Sequence, residues 1–222
     1  MPQAESPTNC SLVLFTKAPI AGFVKTRLTP PLSPATCAEL QGAFIEDALQ
    51  ELRGVGAVLK IYLAPDDGSR YLDGLDIETL PQGGGDLGLR MVRSLNHERS
   101  LGFRKVLLVG ADIPELEAED LREGYGLLNR VDVVFGPARD GGFYCMGSCR
   151  ALPEDLLEGI PWSGPDTLAM SEARVRAAGL KAGRMKTHSD VDDAEDLRRL
   201  NLARVGPATR SMLKRIGHLL TL

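Results

Sequence analysis

Three cations lie close together in the segment "FTKAPIAGFVKTRL": Lys17, Lys25 and Arg27. Arginine can hold two phosphate oxygens at once and lysine acts as a point charge, so together they can surround a phosphate group. Pro19 and Gly22 mark the segment as a loop, and Lys25 and Arg27 are therefore expected to be exposed. The alternative is an ordinary solvated connection, and the residues alone leave both readings open.

Acidic side chains form a second group of candidates. Asp112 follows the apolar run "VLLVGA" and stands two residues before Pro114. A carboxylate there suits Mg²⁺, which takes one or two carboxylates together with phosphate oxygens. The alternative is a turn-forming Asp bonded to its own backbone. In "HSDVDDAEDL", a helix cap explains Asp192, but Asp190, Asp192 and Asp193 would repel one another unless a cation or solvent separates them.

The stretch "QGGGDLGLR" combines three glycines with a predicted helix start. The free N–H groups at such a start can bind an anion. Gly85 and Asp86 stand at the junction, and Arg90, one turn into the helix, could add a side-chain contact. The alternative is that Arg90 faces water.

The stretch "GPARDGGFYCMG" places Asp140 before Gly141 and Gly142. Glycine lets the backbone approach a ligand closely, which makes Asp140 a candidate catalytic residue and the two glycines candidate substrate contacts. Asp-Gly is also a strong signal for a hairpin turn. Both readings stay open.

The elements that must position these side chains alternate along the chain. Apolar runs predict strands at 11–15, 57–64, 105–111 and 131–138, the last two buried on both faces. Amphipathic stretches predict helices at about 34–52, 87–101, 117–129, 167–178 and 207–220, with a further helix starting in "DVDDAEDL" and an edge strand at "GLKAGRMK". This rhythm predicts an α/β fold with a mainly parallel sheet covered on both sides, and ligands bind beyond the carboxyl ends of such strands.

Composition excludes several classes of protein. The 222 residues have an ordinary hydrophobic fraction of 43% and a net charge of −4, so no overall positive field recruits nucleic acid. The four cysteines and three histidines lack zinc-site spacing, which favours reduced, structural thiols. The N-terminal "MPQAESPTNC" has no signal pattern, and no apolar run reaches membrane-spanning length. We expect one cytoplasmic domain with a core at about 11–204, not bound to nucleic acid or membrane, and a homodimer is left open.

The order of the motifs resembles one family. "FTKAPIAGFVKTRL", "GGGDLGLRM", "LVGADIPEL", "VVFGPARDGGFYCMG", "IPWSG" and "DVDDAEDL" occur in the order seen in transferases associated with radical-SAM and selenoprotein gene neighbourhoods. This DUF2064-like group includes members labelled arsenosugar-biosynthesis glycosyltransferases. It belongs to the nucleotide-diphospho-sugar transferase superfamily, which implies a single three-layer sandwich of the GT-A type. "KTRL" and "DVD" are also similar to the 2-phospholactate guanylyltransferases.

The resemblance implies the roles of Lys17, Lys25, Arg27, Asp112, Trp162 and one of Asp190 and Asp192, and the residue patterns described above give those of the other candidates. Phosphates of the nucleotide would be held by Lys17, Lys25, Arg27, Gly85, Asp86 and Arg90. Mg²⁺ or Mn²⁺ would be held by Asp112 with Asp190 or Asp192. Catalysis would involve Asp112, Asp140 and Lys25. The acceptor would lie near Gly141, Gly142 and Trp162.

Three functions are compatible with these residues. The first is a Mg²⁺-dependent transfer of a glycosyl group from a nucleotide-diphospho-sugar to a small acceptor. The second is nucleotidyl transfer from an NTP with release of pyrophosphate. The third is a nucleotide-binding module without catalysis. Family labels favour the first, and the basic loop slightly favours the second.

Overall fold

A computed structural model of the protein describes residues 9–68, 72, 74–162 and 164–220. Its strands are β1 (Cys10–Lys17), β2 (Val58–Ala64), β3 (Thr79–Pro81), β4 (Lys105–Val109), β5 (Val133–Pro137), β6 (Phe143–Ser148) and β7 (Ala182–Arg184). They form one sheet in the order β3-β2-β1-β4-β6-β5-β7. β6 runs antiparallel to β4 and β5, and the other neighbouring pairs are parallel. The prediction of a mainly parallel sheet is confirmed.

The described residues also form six α-helices and one short 3₁₀ helix. They are α1 (Pro34–Arg53), α2 (Leu87–Ser100), α3 (Ala118–Leu127), α4 (Thr167–Ala177), α5 (Ala194–Arg199), α6 (Pro207–Leu220) and the 3₁₀ helix Thr26–Leu28. α1 begins where Ser33 accepts a hydrogen bond from the Thr36 N–H, and it ends at Gly54. None of the described helices is both long and apolar enough for a membrane span. Residues 1–8, on which the expectation of no signal peptide partly rests, lie outside the described residues.

The sheet has a helical layer on each face because its side chains alternate. Leu12 and Leu14 of β1 belong to a buried cluster that includes residues of α1 and α3. Val13, between them, belongs to a second cluster that includes residues of α2 and α4. Two such clusters on opposite faces make a three-layer sandwich, and the predicted fold class is confirmed.

A third buried cluster contains no residue of the described strands. It combines Leu28 of the 3₁₀ helix and Val191 of a loop with apolar residues of α1, α5 and α6. The carboxylate of Asp47 on α1 accepts hydrogen bonds from the N–H groups of Ala208 (3.0 Å) and Thr209 (2.7 Å) at the start of α6. The C-terminal helix is thereby fixed to α1 both by apolar packing and by a cap.

The Asp-Gly stretch forms the turn of the β5–β6 hairpin. The Ala138 N–H donates to the Gly142 carbonyl at 3.0 Å, which closes the turn. Gly141 has a φ of +93°, and a Cβ atom there would lie 2.0 Å from the carbonyl oxygen of Pro165. The close backbone approach at Gly141 is therefore made by the chain itself.

Candidate functional site

A cleft of about 360 Å³ opens at the carboxyl ends of β1, β3 and β4. Its walls include Lys17 at the end of β1, Gln82 directly after β3, and Asp112, three residues beyond β4. The loop after β1 adds residues 23–27. A volume of this size is usual for small-molecule sites. The cleft thus lies at the edge of the sheet where the sequence predicts a ligand.

Lys25 lies deep in this cleft. Its backbone has a φ of +50°, and its side chain is only 5% exposed. The ammonium lies 2.6 Å from Asp112 Oδ1 and donates to the Val191 carbonyl at 2.6 Å. Asp112 Oδ1 is itself buried and receives no well-directed hydrogen bond from the described residues, so the contact is an ion pair set by charge and distance. The expectation that Lys25 is exposed is wrong, because the left-handed turn directs its side chain inward.

Arg27 and Asp192 form a second cation–carboxylate pair. The guanidinium lies 2.8 Å from Asp192 Oδ2; the Arg27 side chain is exposed, and the Asp192 side chain is half-buried. The cap of α5 is Asp193, which accepts from the N–H groups of Glu195 (2.8 Å) and Asp196 (3.1 Å). The reading of Asp192 as the helix cap is therefore wrong. Because Asp193 caps the helix, Asp192 is free to face the cleft.

Lys17 and Arg90 also line the cleft, and neither forms an ion pair within the part of the chain that the structure describes. The Lys17 ammonium lies 5.4 Å from the centre of the Phe23 ring. Arg90 donates to Gln82 Oε1 at 2.7 Å and to the Asp86 carbonyl at 3.3 Å. Neither side chain is therefore paired with a carboxylate among the described residues.

The side chain of Asp86 caps the start of α2. Asp86 Oδ1 accepts the Leu89 N–H at 2.8 Å, so part of the anion-binding capacity of this helix start is already used. Gly85 has a φ of +106° and, like Asp86, does not line the cleft. Of the residues predicted here, Arg90 is the one that faces the ligand space.

A second cavity of about 920 Å³ adjoins the first. Its walls include Asp140, His188 and Asp190. It shares Arg27 and Asp192 with the first cavity. A molecule in each cavity could therefore meet the other at this shared wall.

Two carboxylates near the shared wall, Asp190 and Asp192, have raised pKa values. Burial raises the pKa of Asp190 to about 6, and the charges of Asp140 and Asp192 add to the rise. Burial also raises the pKa of Asp192, an effect that Lys25 opposes and that Asp112 reinforces. Such a cluster of acidic groups is stabilised by a nearby cation.

The donor set fits a hard divalent cation. Asp112 and Asp192 line the same cleft, whereas Asp190 lines the second cavity. Asp112 also offers a buried oxygen that lacks a directed hydrogen bond from the described residues. Those residues contain no ready-made group of three His, Cys, Asp or Glu ligands. This arrangement matches a cation that takes its remaining ligands from a bound phosphate.

Sequence reasoning missed a buried His–Asp pair. His188 Nε2 lies 2.8 Å from Asp120 Oδ2, and both side chains are buried. Burial lowers the pKa of His188, although Asp120 opposes the shift. The His188 ring also makes a T-shaped contact with the Tyr144 ring at a centroid distance of 5.2 Å. No sequence signal pairs His188 with Asp120, because α3 brings in the aspartate from 68 positions earlier in the chain.

Trp162 lines neither cavity. Its ring packs against Phe143 at a centroid distance of 6.1 Å, and a Cβ atom at Gly88 would lie 2.8 Å from it. This places Trp162 among the apolar groups of the face that α2 covers. Ser163 of the "IPWSG" motif lies outside the described residues.

Residues 52–164 match the family described as "Uncharacterized protein conserved in bacteria (DUF2064)". The match covers just over half of the 222 residues. The chain belongs to the DUF2064 family. The family predicted from the motif order is thus confirmed. No curated protein matches the sequence.

Solved structures share the fold of this DUF2064 chain. A "putative nucleotide-diphospho-sugar transferase" from Desulfovibrio desulfuricans G20 is 28% identical with a TM-score of 0.85, and 96% of this chain aligns with 97% of that one. A CMP:2-keto-3-deoxy-manno-octonic acid synthetase complexed with CTP is 11% identical with a TM-score of 0.54, and 93% of this chain aligns with 98% of that one. A cytidylyltransferase from Leptospira borgpetersenii serovar Hardjo-bovis (strain JB197) is 8% identical with a TM-score of 0.54, and 95% of this chain aligns with 94% of that one. The fold is therefore that of nucleotide-diphospho-sugar transferases and cytidylyltransferases.

Proposed function

We propose that this protein is a divalent-cation-dependent transferase that passes the glycosyl group of a nucleotide-diphospho-sugar to a small acceptor. The observation that carries the proposal is a cleft in which four cations meet two carboxylates beside a second cavity. The cations are Lys17, Lys25, Arg27 and Arg90, and the carboxylates are Asp112 and Asp192. Phosphates need the cations, and a metal ion needs the carboxylates.

The cations would receive the diphosphate of the donor. Lys17 and Arg90 have no carboxylate partner among the described residues, so they can bind phosphate without first breaking an ion pair. Mg²⁺ or Mn²⁺ would be held by Asp112 and Asp192 and would neutralise charge on the phosphates. When the two carboxylates bind the metal ion, Lys25 and Arg27 would be released from their ion pairs and could contact the phosphates of the nucleotide.

In the proposed transfer, the cleft would hold the donor and the second cavity would hold the acceptor. The bond between the anomeric carbon and the phosphate oxygen breaks, and the nucleoside diphosphate leaves with the electron pair. The cleft cations would stabilise that charge as it develops. In the second cavity, an acceptor hydroxyl would form the new glycosidic bond and lose its proton, with Asp140 as the candidate base.

One of the comparisons supports glycosyl transfer as the first choice. The solved structure from Desulfovibrio desulfuricans G20 is described as a "putative nucleotide-diphospho-sugar transferase", and nearly all of both chains align at 28% identity. The volume of the second cavity, about 920 Å³, leaves space for an acceptor. A membrane or nucleic-acid partner is not part of the proposal.

One observation favours nucleotidyl transfer as a second candidate. Lys17 and Arg90, which have no carboxylate partner among the described residues, add two cations to the two that are paired with carboxylates. A nucleoside triphosphate carries more negative charge than a nucleoside diphosphate sugar and would use this excess. In that reaction the acceptor attacks the α-phosphorus and pyrophosphate leaves.

The test uses the full chain with Mg²⁺ and a panel of nucleotide-sugars and, separately, NTPs. Donor turnover, including slow hydrolysis without an acceptor, is followed as free nucleoside diphosphate in the first arm and as pyrophosphate in the second. We expect nucleoside diphosphate from at least one nucleotide-sugar. Pyrophosphate alone would favour the second candidate. Tight nucleotide binding without either product would indicate a non-catalytic module.

A further inference from the structure

Phe23 is 42% exposed, although it lines a cleft and carries a large apolar ring. Its neighbour Val24 is 3% exposed and packs inward. The two successive side chains therefore point in different directions, and the ring is presented to the cleft. An aromatic ring left open to solvent inside a concave site is a surface that a ligand can cover.

The backbone on both sides of Phe23 is fixed. The Ala18 N–H donates to the Ala64 carbonyl at 2.8 Å, and the Phe23 N–H donates to the Ile20 carbonyl at 3.0 Å. Two residues further on, Lys25 is tied to Asp112 and the Val191 carbonyl. The ring is thus held by a loop that is already ordered, which reduces the entropy that ligand binding would otherwise lose.

The surroundings of the ring combine apolar and cationic groups. Lys17 Nζ lies 5.4 Å from the ring centre, and Arg90 lines the same cleft. Phe15 and Leu87 add apolar surface to the walls. A ligand that matches this pattern has a flat aromatic part joined to a strongly anionic part. A nucleotide has this chemistry.

We propose that Phe23 is the platform on which the base of the bound nucleotide stacks. The inference rests on the proposed function and adds the part of the site that holds the base. Every nucleobase has a π-face, so stacking supplies affinity without choosing among bases. The phosphates would then extend toward Lys17 and the other cations of the cleft.

The experiment compares two ligands that share phosphates but not a base. Calorimetry measures the affinity of inorganic pyrophosphate and of the tightest-binding member of the set ADP, GDP, CDP and UDP, with Mg²⁺ throughout. The variants are Phe23→Ala, Phe23→Tyr, which keeps a ring, and Leu101→Ala, a control for loss of an exposed apolar side chain outside the cleft. Thermal denaturation checks that each variant folds.

We expect Phe23→Ala to weaken the nucleoside diphosphate about 5- to 150-fold, the range that corresponds to loss of one base–aromatic stack. Pyrophosphate affinity should change less than about twofold, and Phe23→Tyr and Leu101→Ala should bind both ligands like the wild type.

NMR spectra give a second measurement. The signals of the Phe23 ring should shift upfield when the nucleotide binds but not when pyrophosphate binds.

Two results would overturn the inference while leaving the proposed function intact. One is nucleotide affinity in Phe23→Ala within about twofold of wild type. The other is an equal loss for nucleotide and pyrophosphate, which would mean that Phe23 acts on the phosphate groups of the site. A wild-type protein that binds neither ligand would overturn the proposed function and this inference together.

Discussion

Lys17 and Lys25 belong to the same loop, but their surroundings differ. Lys17 is exposed, whereas Lys25 is buried between Asp112 and the Val191 carbonyl. We expect Lys25→Met to lower the free energy of unfolding by about 1–3 kcal/mol, because the contacts of a buried ammonium with Asp112 and with the Val191 carbonyl are lost. Lys17→Met should change it by less than about 0.5 kcal/mol. Urea denaturation measures the free energy of unfolding of both variants. An equal loss of stability in the two would contradict the assignment of Lys25 as buried and Lys17 as exposed.

Both lysine variants should also weaken nucleotide binding. Each removes one charge-assisted contact with phosphate, worth about 1.5–3 kcal/mol. A nucleoside without phosphates should bind both variants as weakly as it binds the wild type. Normal nucleotide affinity in Lys25→Met, together with its loss of stability, would show that this lysine has a structural role only.

The proposed role of Asp112 as a metal ligand can be tested directly. A neutral amide is a poor ligand for a hard cation, so Asp112→Asn should abolish the increase in nucleotide affinity that Mg²⁺ gives the wild type. Asp155→Asn, which removes an exposed carboxylate outside both cavities, is the control. Calorimetry with Mg²⁺ and with EDTA measures the difference. Wild-type affinity that is the same in both buffers would remove the metal from the proposal.

At the scale of elements, two adjacent aspartates before α5 have separate tasks. Asp193→Ala should lower the stability by about 1 kcal/mol, because Asp193 caps the helix. Asp192→Ala should leave stability almost unchanged, since its partner Arg27 is exposed, and should reduce Mg²⁺-dependent nucleotide affinity. Melting curves and calorimetry on the two variants check this. The reverse pattern would restore Asp192 as the cap.

A buried carboxylate joins α4 to β7. Glu172 accepts two hydrogen bonds from Arg184, at 2.5 and 2.7 Å, and its side chain is 9% exposed. Hydrogen bonding from Arg184 holds the pKa of Glu172 below its ordinary value of 4.5. A lowered pKa in the folded state means that the stabilisation is complete above the ordinary pKa and is lost as the pH falls through the folded-state value.

Glu172→Gln should therefore destabilise the protein by about 1.5–3 kcal/mol near neutral pH. The difference from the wild type should shrink as the pH falls below 4.5, where the wild-type carboxylate becomes protonated. Glu119→Gln breaks an exposed pair with Arg122 and should change stability by less than about 1 kcal/mol at any pH. Chemical denaturation across a pH series measures both variants. A constant difference for Glu172→Gln would contradict the assignment.

Most elements could be predicted because their signals are local. Ser33 and Gly54 bound α1, and Asp86 caps α2, as the sequence indicates. β7 lies at the edge of the sheet, as expected for "GLKAGRMK". β3 was missed because it has only three residues, none of them fully buried, and no alternating pattern.

The candidate site was harder to predict because its pairings are not local. Position after a strand indicated Asp112 and the Lys25 loop separately, but not that their charges are 2.6 Å apart. The exposure of loop residues is a tendency, and a left-handed turn at Lys25 overrides it. The sequence does not indicate which aspartate caps α5, because Asp192 and Asp193 are both residues that commonly cap a helix.

At the scale of the whole molecule, charge is distributed unevenly. The chain has a net charge of −4, yet the cleft collects four cations. Attraction for phosphates is therefore local, and salt should screen it over a Debye length of about 8–10 Å at physiological ionic strength. We expect nucleotide affinity to fall steadily as salt is raised, while the affinity of the corresponding nucleoside stays constant. Parallel titrations at several salt concentrations test this, and salt-independent nucleotide binding would contradict it.

The packing of α6 has a consequence for the order of events during synthesis. Leu28 and Val191, which flank the Arg27 and Asp192 sides of the cleft, share a buried cluster with Met212 and Ile216 of α6. A ribosome makes this helix after all seven strands. We therefore expect a nascent chain to assemble the central sheet before the loops around Leu28 and Val191 can pack, and to complete this side of the cleft only when α6 emerges from the exit tunnel.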